Sequence, residues 1–272
     1  MTQLQSTNCL PTSETLREPP SQTVDAICAT HGPYVATVTE YHITDKPTVI
    51  TSSCPECVIA RNAEREAKAA ADAARERRRK VDSLRAASGI PARFVDRAFD
   101  GYRATAAGQR IALGVCRAFA ESWPDKLASG ASLVLTGGPG TGKTHLACAV
   151  ANAVMESHLS AAAFGTVATL LRHIKDTYRK DATRSEQDAI DDLVRPDLLI
   201  VDEVGVQVGS EHEKLLMFEV LNCRYQECRP TILISNLSAT DLEAFLGQRV
   251  MDRYRECGSV LAFDWPSYRG QA

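Results

Sequence analysis

Four glycines and a proline crowd around one lysine in TGGPGTGKTHLA (residues 136–147), immediately after the apolar run Ser132-Leu133-Val134-Leu135. Glycine at this density loses conformational entropy on folding and adds no packing, so the stretch is not shaped for a core. Gly137, Gly142, Lys143 and Thr144 fit the spacing G-x-x-x-x-G-K-[ST]. A preceding strand and a following helix, His145 to about Met155, supply the context that separates a phosphate-binding loop from a chance match. In such a loop successive amides turn inward around an anion, and the helix N-terminus adds partial positive charge at the same point. Gly138, Pro139, Gly140, Thr141, Gly142, Lys143, Thr144 and His145 are therefore expected to hold ATP or ADP. Lys143 would reach the β- and γ-phosphates, and the Thr144 hydroxyl would ligate Mg²⁺.

Two carboxylates stand where such a site needs them. In DLLIVDEVG (197–205) a short apolar strand ends at Asp202 and Glu203. A strand buried on both faces would carry Asp202 to the C-terminal edge of a sheet, there to hold Mg²⁺ through water, with Glu203 polarising the attacking water. Alone, the pair would also suit a helix N-cap; the phosphate loop upstream favours catalysis. The run Thr231–Ser235 delivers Asn236 to the same edge, either to sense the γ-phosphate and orient the water or simply to end the strand.

Near the N-terminus, Cys28-x-x-His31 and Cys54-x-x-Cys57 offer four soft or borderline ligands in two pairs. That spacing suits a closed structural Zn²⁺ site holding together a module too small for its own core. Chance clustering of reduced thiols is the competing explanation, and His42 is a rival ligand without a pairing pattern. The total of nine cysteines is odd, which argues against a disulfide framework; the others read as small buried or half-buried thiols.

These groups need a scaffold. Residues 1–24, rich in Ser, Thr, Pro and Gln, read as a disordered leader. Residues 25–88 comprise a small β-containing module and then a helix rich in Ala, Arg, Glu and Lys, with no Gly or Pro from residue 58 until Gly89 and Pro91 end it. From residue 89 to 272, the runs Leu133–Thr136, Ala161–Gly165, Leu198–Val201, Thr231–Ser235 and Val260–Phe263 alternate with helical stretches. This pattern predicts an α/β domain: a parallel sheet sandwiched by helices. The net charge of −3 excludes a generally basic coat, though not local basic patches. No apolar run approaches a membrane span and the N-terminus lacks a signal-like segment, so a cytoplasmic protein is expected, without membrane partners.

The blocks SGIPARFVDRAFDGY (88–102), GGPGTGKTHLA, KDTYRKDATRSEQ (175–187), LLIVDEVGVQ (198–207), GQRVMDRYR (247–255) and FDWPSYRG (263–270) together resemble the DnaC-type replicative helicase loaders, which are AAA+ P-loop ATPases. The likeness covers roughly residues 88–270, in the family's order. It implies a protein that binds ATP, self-associates through its AAA+ domains, grips a hexameric replicative helicase and delivers it onto single-stranded DNA. Arg253 in VMDRYRE matches the family's arginine finger, which completes a neighbour's site, with Arg249 one helical turn earlier in reserve. Arg269 in SYRG matches the second sensor arginine. Because an unassembled subunit lacks its neighbour's arginine, turnover is expected to be slow until assembly or DNA stimulates it.

Val167–Asp192 looks like the helical insertion of initiators and loaders. Within it Leu170, Leu171, Ile174 and Tyr178 fall at helical spacing, and Lys175, Arg179 and Lys180 surround the tyrosine. A tyrosine platform among cations suits stacked bases and phosphates of a single strand; a solvated helix face with one buried stripe fits the same pattern. The helix after the Cys/His pairs carries RERRRK (75–80). The module and this helix are read as the helicase-docking device, with phosphate contact or a plain connecting helix as alternatives. Metal-bearing N-terminal modules also resemble those of phage-borne loaders. An IstB-like transposition helper acting on duplex DNA is the runner-up reading, because its ATPase core is closely similar.

Overall fold

The computed structural model describes residues 19–41, 47–206 and 210–268. Arg269, His42 and residues 1–18 of the expected leader lie outside them. The described chain divides into two compact units at Arg75/Glu76 rather than at the expected boundary near residue 88.

In the first unit, β1 (Ser21–Cys28), β2 (Gly32–Tyr41) and β3 (Thr48–Thr51) form an antiparallel sheet in the order β1-β2-β3. The leader expected to reach residue 24 therefore ends sooner, because Ser21 pairs with Thr39 and Thr23 with Thr37. That pairing is non-local, and nothing in the polar stretch SQT announces it. Among the described residues of this unit, only Ala36 and Cys54 are buried hydrophobics. Helix α1 (Pro55–Ala87) begins here and crosses the unit boundary; along it only Val81 is buried.

The second unit continues through α2 (Ala107–Glu121), α3 (Trp123–Ser129), β4 (Ser132–Gly137), α4 (Lys143–His158), β5 (Ala162–Thr166), α5 (Val167–Lys175), α6 (Glu186–Val194), β6 (Leu198–Asp202), α7 (Glu211–Gln226), β7 (Thr231–Ile234), α8 (Ala239–Leu246), α9 (Gln248–Glu256) and β8 (Gly258–Phe263). The five strands are parallel, in the order β5-β6-β7-β4-β8. Alternation along each strand feeds two cores. Leu133, Leu135, Leu198, Ile200, Ile232 and Ile234 pack with α2, α3 and α4. Val134, Leu199, Val201 and Leu233 face α5 to α9 on the other side. Burial on both faces is why β4, β6 and β7 read as continuous apolar runs, whereas the edge strands β5 and β8 are only partly buried. The expected strands all form, within one or two residues of their expected bounds.

Arg224 is fully buried between these layers. Its guanidinium donates to the carbonyls of Leu193, Val194, Pro196 and Pro230 and to Thr231 Oγ1, at 2.6–3.0 Å. It thereby satisfies the end of α6 and the starts of β6 and β7 with one side chain, and burial lowers its pKa to about 10. Among the described residues no helix is long and apolar enough to cross a membrane.

Candidate functional site

The phosphate loop turns between β4 and α4 on left-handed glycines, Gly137 at φ 125°, Gly140 at 77° and Gly142 at 97°. A side chain is excluded at two of them: a Cβ would sit 2.3 Å from the Phe263 carbonyl oxygen at Gly137 and 2.6 Å from Tyr102 Cε2 at Gly142. At Gly138 a Cβ would meet nothing within 4 Å, so packing does not demand glycine there. Lys143 is only 4% exposed. Its ammonium donates to the carbonyls of Gly137 (2.6 Å) and Gly138 (2.7 Å), so the loop is curled around its own cation. His145 Nε2 bonds the Ala98 carbonyl at 3.1 Å, and burial lowers its pKa, favouring the neutral ring. The ring thereby anchors the segment before α2, and His145 lines the same cleft as Lys143 and Thr144.

The acidic pair arrives as expected. Asp202 ends β6 and accepts from Thr144 Oγ1 through Oδ2 (2.9 Å) and from the Glu203 amide through Oδ1 (2.7 Å). Glu203 itself is exposed and held at φ 62°, a left-handed conformation that a glutamate adopts rarely. Such strain is kept where the backbone must aim a side chain. Both carboxylates, Lys143, Thr144 and Asn236 line one open cleft of about 1040 Å³. That volume accommodates a nucleoside triphosphate, and a hydroxyl beside a carboxylate is the donor set that Mg²⁺ takes.

Tyr102, Trp265 and Tyr268 also line this cleft, where sequence reasoning had not placed them. The only signal was their presence in the quoted blocks ending at Tyr102 and spanning FDWPSYRG.

Arg253 does not enter the cleft. It lies on α9, donates to Asn222 of α7 and sits 5.0 Å over the Tyr225 ring. Arg249, at the start of α9, is exposed. In the insertion, Leu170, Leu171 and Ile174 are buried core, but the stripe does not continue to Tyr178. Helix α5 stops at Lys175, and Tyr178 falls on a 3₁₀ turn, half exposed, its hydroxyl donating to Glu186 and meeting His212 Nε2 at 3.1 Å. Lys175 pairs with Glu213 and Arg179 with Asp181, while Lys180 is exposed. Two of the three cations around the tyrosine are thus already matched by carboxylates. In the basic stretch of α1, Arg77 donates to the Glu156 and Ser157 carbonyls at the end of α4, and Arg85 pairs with Glu156.

Cys28, His31, Cys54 and Cys57 converge, their ligand atoms all within 4.8 Å of one another. The Cys28 and Cys57 sulfurs are 3.5 Å apart, and His31 Nδ1 lies 3.3–3.7 Å from the three sulfurs. The edges of a tetrahedron around Zn²⁺, built from the usual bond lengths, are about 3.8 Å for S–S and about 3.6 Å for S–N. The residues fit a closed four-ligand metal site. Cys28 and His31 flank the β1–β2 turn, Cys54 precedes α1 and Cys57 lies in its first turn. Glu56 approaches His31 Nε2 at 3.7 Å, the carboxylate contact that leaves Nδ1 for a metal. Backbone amides of Thr30 and His31 draw the Cys28 thiol down to about 6, while the hydrogen bond with Cys28 pushes Cys57 up to about 11.

A phosphate loop after β4, an Asp-Glu pair after β6 and a polar residue after β7, on one edge of a parallel sheet, define a P-loop nucleotide-binding protein. The family model described as IstB-like ATP binding protein matches residues 67–271. The replicative helicase loader DnaC of Escherichia coli K12 is 37% identical over 185 residues, covering 68% of this chain and 74% of that protein. DnaC of Buchnera aphidicola from Acyrthosiphon pisum is 35% identical over 191 residues, covering 70% and 76%. A crystal structure of the DnaC helicase loader shares the fold with a TM-score of 0.57 at 24% identity, over 63% of this chain and 99% of that one. The chain belongs to the DnaC-type loader family of AAA+ proteins.

Proposed function

We propose that this protein is an ATP-driven loader that binds a hexameric replicative helicase and delivers it onto single-stranded DNA. The observation that carries the reading is the Lys143–Thr144–Asp202 constellation, in a chain that is 37% identical to a protein named replicative helicase loader. Bound ATP with Mg²⁺ supplies a transferable phosphoryl group whose departure switches the state of the assembly. Lys143 would exchange its loop carbonyls for phosphate oxygens, and Thr144 and Asp202 are the residues that would hold the magnesium. Glu203 accepts the proton of the attacking water, which Asn236 orients from the neighbouring strand. Arg253 leaves Asn222 and Tyr225 to reach the site of an adjacent copy, and Arg269 closes on the nucleotide of its own subunit. ADP is the product state.

The metal in the Cys/His cluster is Zn²⁺, the ion for which Cys₃His is a common closed set. It fixes the β1–β3 module that, with α1, engages the helicase. Unpaired DNA runs past Tyr178, with Lys175 and Arg179 opening their carboxylate pairs and the exposed Lys180 joining them to meet phosphates. The decisive experiment mixes the protein with a hexameric helicase, ATP–Mg²⁺ and a fork coated with single-strand-binding protein, and reads unwinding. Stimulation by the wild type and its loss in Lys143→Ala supports the reading; no stimulation together with no helicase binding refutes it. The match to IstB-like proteins keeps one rival: binding of duplex DNA and a transposase, with no helicase retained in the same pull-down, would favour it.

A further inference from the structure

Two segments distant in sequence hold the backbone of the phosphate loop. Trp265 Nε1 donates to the Thr141 carbonyl at 2.9 Å, and the Tyr102 hydroxyl donates to the same oxygen at 3.3 Å. One residue earlier, the Tyr268 amide donates to the Gly140 carbonyl at 2.9 Å. Arg103 joins the two segments by donating to the Tyr268 hydroxyl at 2.8 Å. The strap that follows β8 is itself held: the Trp265 ring lies 4.7 Å from that of Phe263, and Gly108 of α2 leaves room for it, since a Cβ there would come within 3.2 Å of the indole.

The geometry has a consequence for anion binding. A trans peptide points its C=O and N–H in opposite directions, and the described residues contain no cis bonds. Holding the Gly140 carbonyl fixes the Thr141 amide in the opposite direction, and holding the Thr141 carbonyl does the same for the Gly142 amide. We propose that strap 264–268 and Tyr102 form a brace that presets the Thr141 and Gly142 amides toward the phosphates, with Trp265 and Tyr102 as positioning residues. The inference rests on the nucleotide reading above. It assigns the C-terminal strap a direct part in that site, so that occupancy of the loop is felt at the indole and movement of the strap is felt by the nucleotide.

The test measures ATP–Mg²⁺ affinity, melting temperature without nucleotide, and indole emission. Trp265→Phe keeps the ring but loses the donor, and Tyr102→Phe removes the other donor to the same oxygen. Each is expected to weaken ATP binding about 3- to 10-fold, the range of one lost hydrogen bond, with the nucleotide-free melting temperature unchanged. The double variant should lose more than the product of the two, because the carbonyl then loses both side-chain donors. Trp123, the protein's other tryptophan, is buried and bonded to Ser160. In a Trp123→Phe background the remaining indole should change emission on ATP–Mg²⁺ addition, which a merely structural role would not produce. If Trp265→Phe also lowers the melting temperature, Tyr102→Phe and the emission change decide. Wild-type affinity retained in both single variants and the double, with silent emission, overturns the brace while leaving nucleotide binding intact. Absence of ATP binding by the wild type would instead remove the nucleotide reading and this inference with it.

Discussion

Removing the metal from the Cys/His cluster should unfold the first unit and spare the second. Its strands have almost no core: among the described residues only Ala36 and Cys54 are buried hydrophobics, and Ile27, Val35, Val49 and Ile50 are exposed. Burying even a large apolar side chain yields about 1.5–3 kcal/mol, whereas ordering each residue's backbone costs about 1–2 kcal/mol. Two small buried residues cannot offset three strands. A structural Zn²⁺ contributes about 10–16 kcal/mol of apparent free energy at neutral pH, and the four ligand atoms already stand at tetrahedral spacing. Chelation, or Cys54→Ser, should therefore abolish amide protection in β1–β3 while ATP binding by the second unit persists. Hydrogen exchange resolved by peptide, paired with zinc quantification, reads both events. Protection of Ser21–Thr51 that survives complete metal loss would refute the reasoning, as would a purified protein carrying no zinc.

Three further outcomes follow from the second unit. Arg224→Leu leaves three buried carbonyls and one half-buried one without their donor, a loss of about 3–5 kcal/mol, equivalent to a melting temperature roughly 6–20 °C lower for a unit of this size; a drop under about 3 °C would contradict it. Arg253→Ala should leave the ATP affinity of the dilute protein unchanged yet remove a rise in turnover per subunit with protein concentration; a flat wild-type profile would count against a composite site. The Ser185 amide and hydroxyl hold the Asp188 pKa below the ordinary carboxylate range. A depressed folded value means this cap stabilises α6 above about pH 4 and is lost as pH falls through the folded pKa. Melting curves should therefore show Asp188→Asn and wild type converging on acidification; a constant gap would refute that.

The parts of the fold legible in the sequence are those where one residue type answers one local demand. Leu198–Val201 and Thr231–Ile234 are buried on both faces, so their apolar runs declare themselves without reference to their partners. The phosphate loop declares itself because glycine is the residue tolerated against Phe263 and Tyr102. The Cys/His pairs were readable because a metal accepts few ligand types, and spacing alone brings two of them to each turn. What stayed hidden depends on partners far along the chain. Arg224 reads as one more surface cation in RYQECR until three carbonyls at the end of α6 and before β6, with that of the adjacent Pro230, enclose it. Tyr178 keeps helical spacing with Ile174, but α5 ends at Lys175 and the ring leaves the stripe for Glu186 and His212. Trp265 was noticed as part of a shared motif, yet its chemistry lies in one donor bond to an oxygen 124 positions away. Periodicity can report which face a residue takes; it carries no information about which backbone atom waits there, and in this protein those atoms belong to the loop that does the binding.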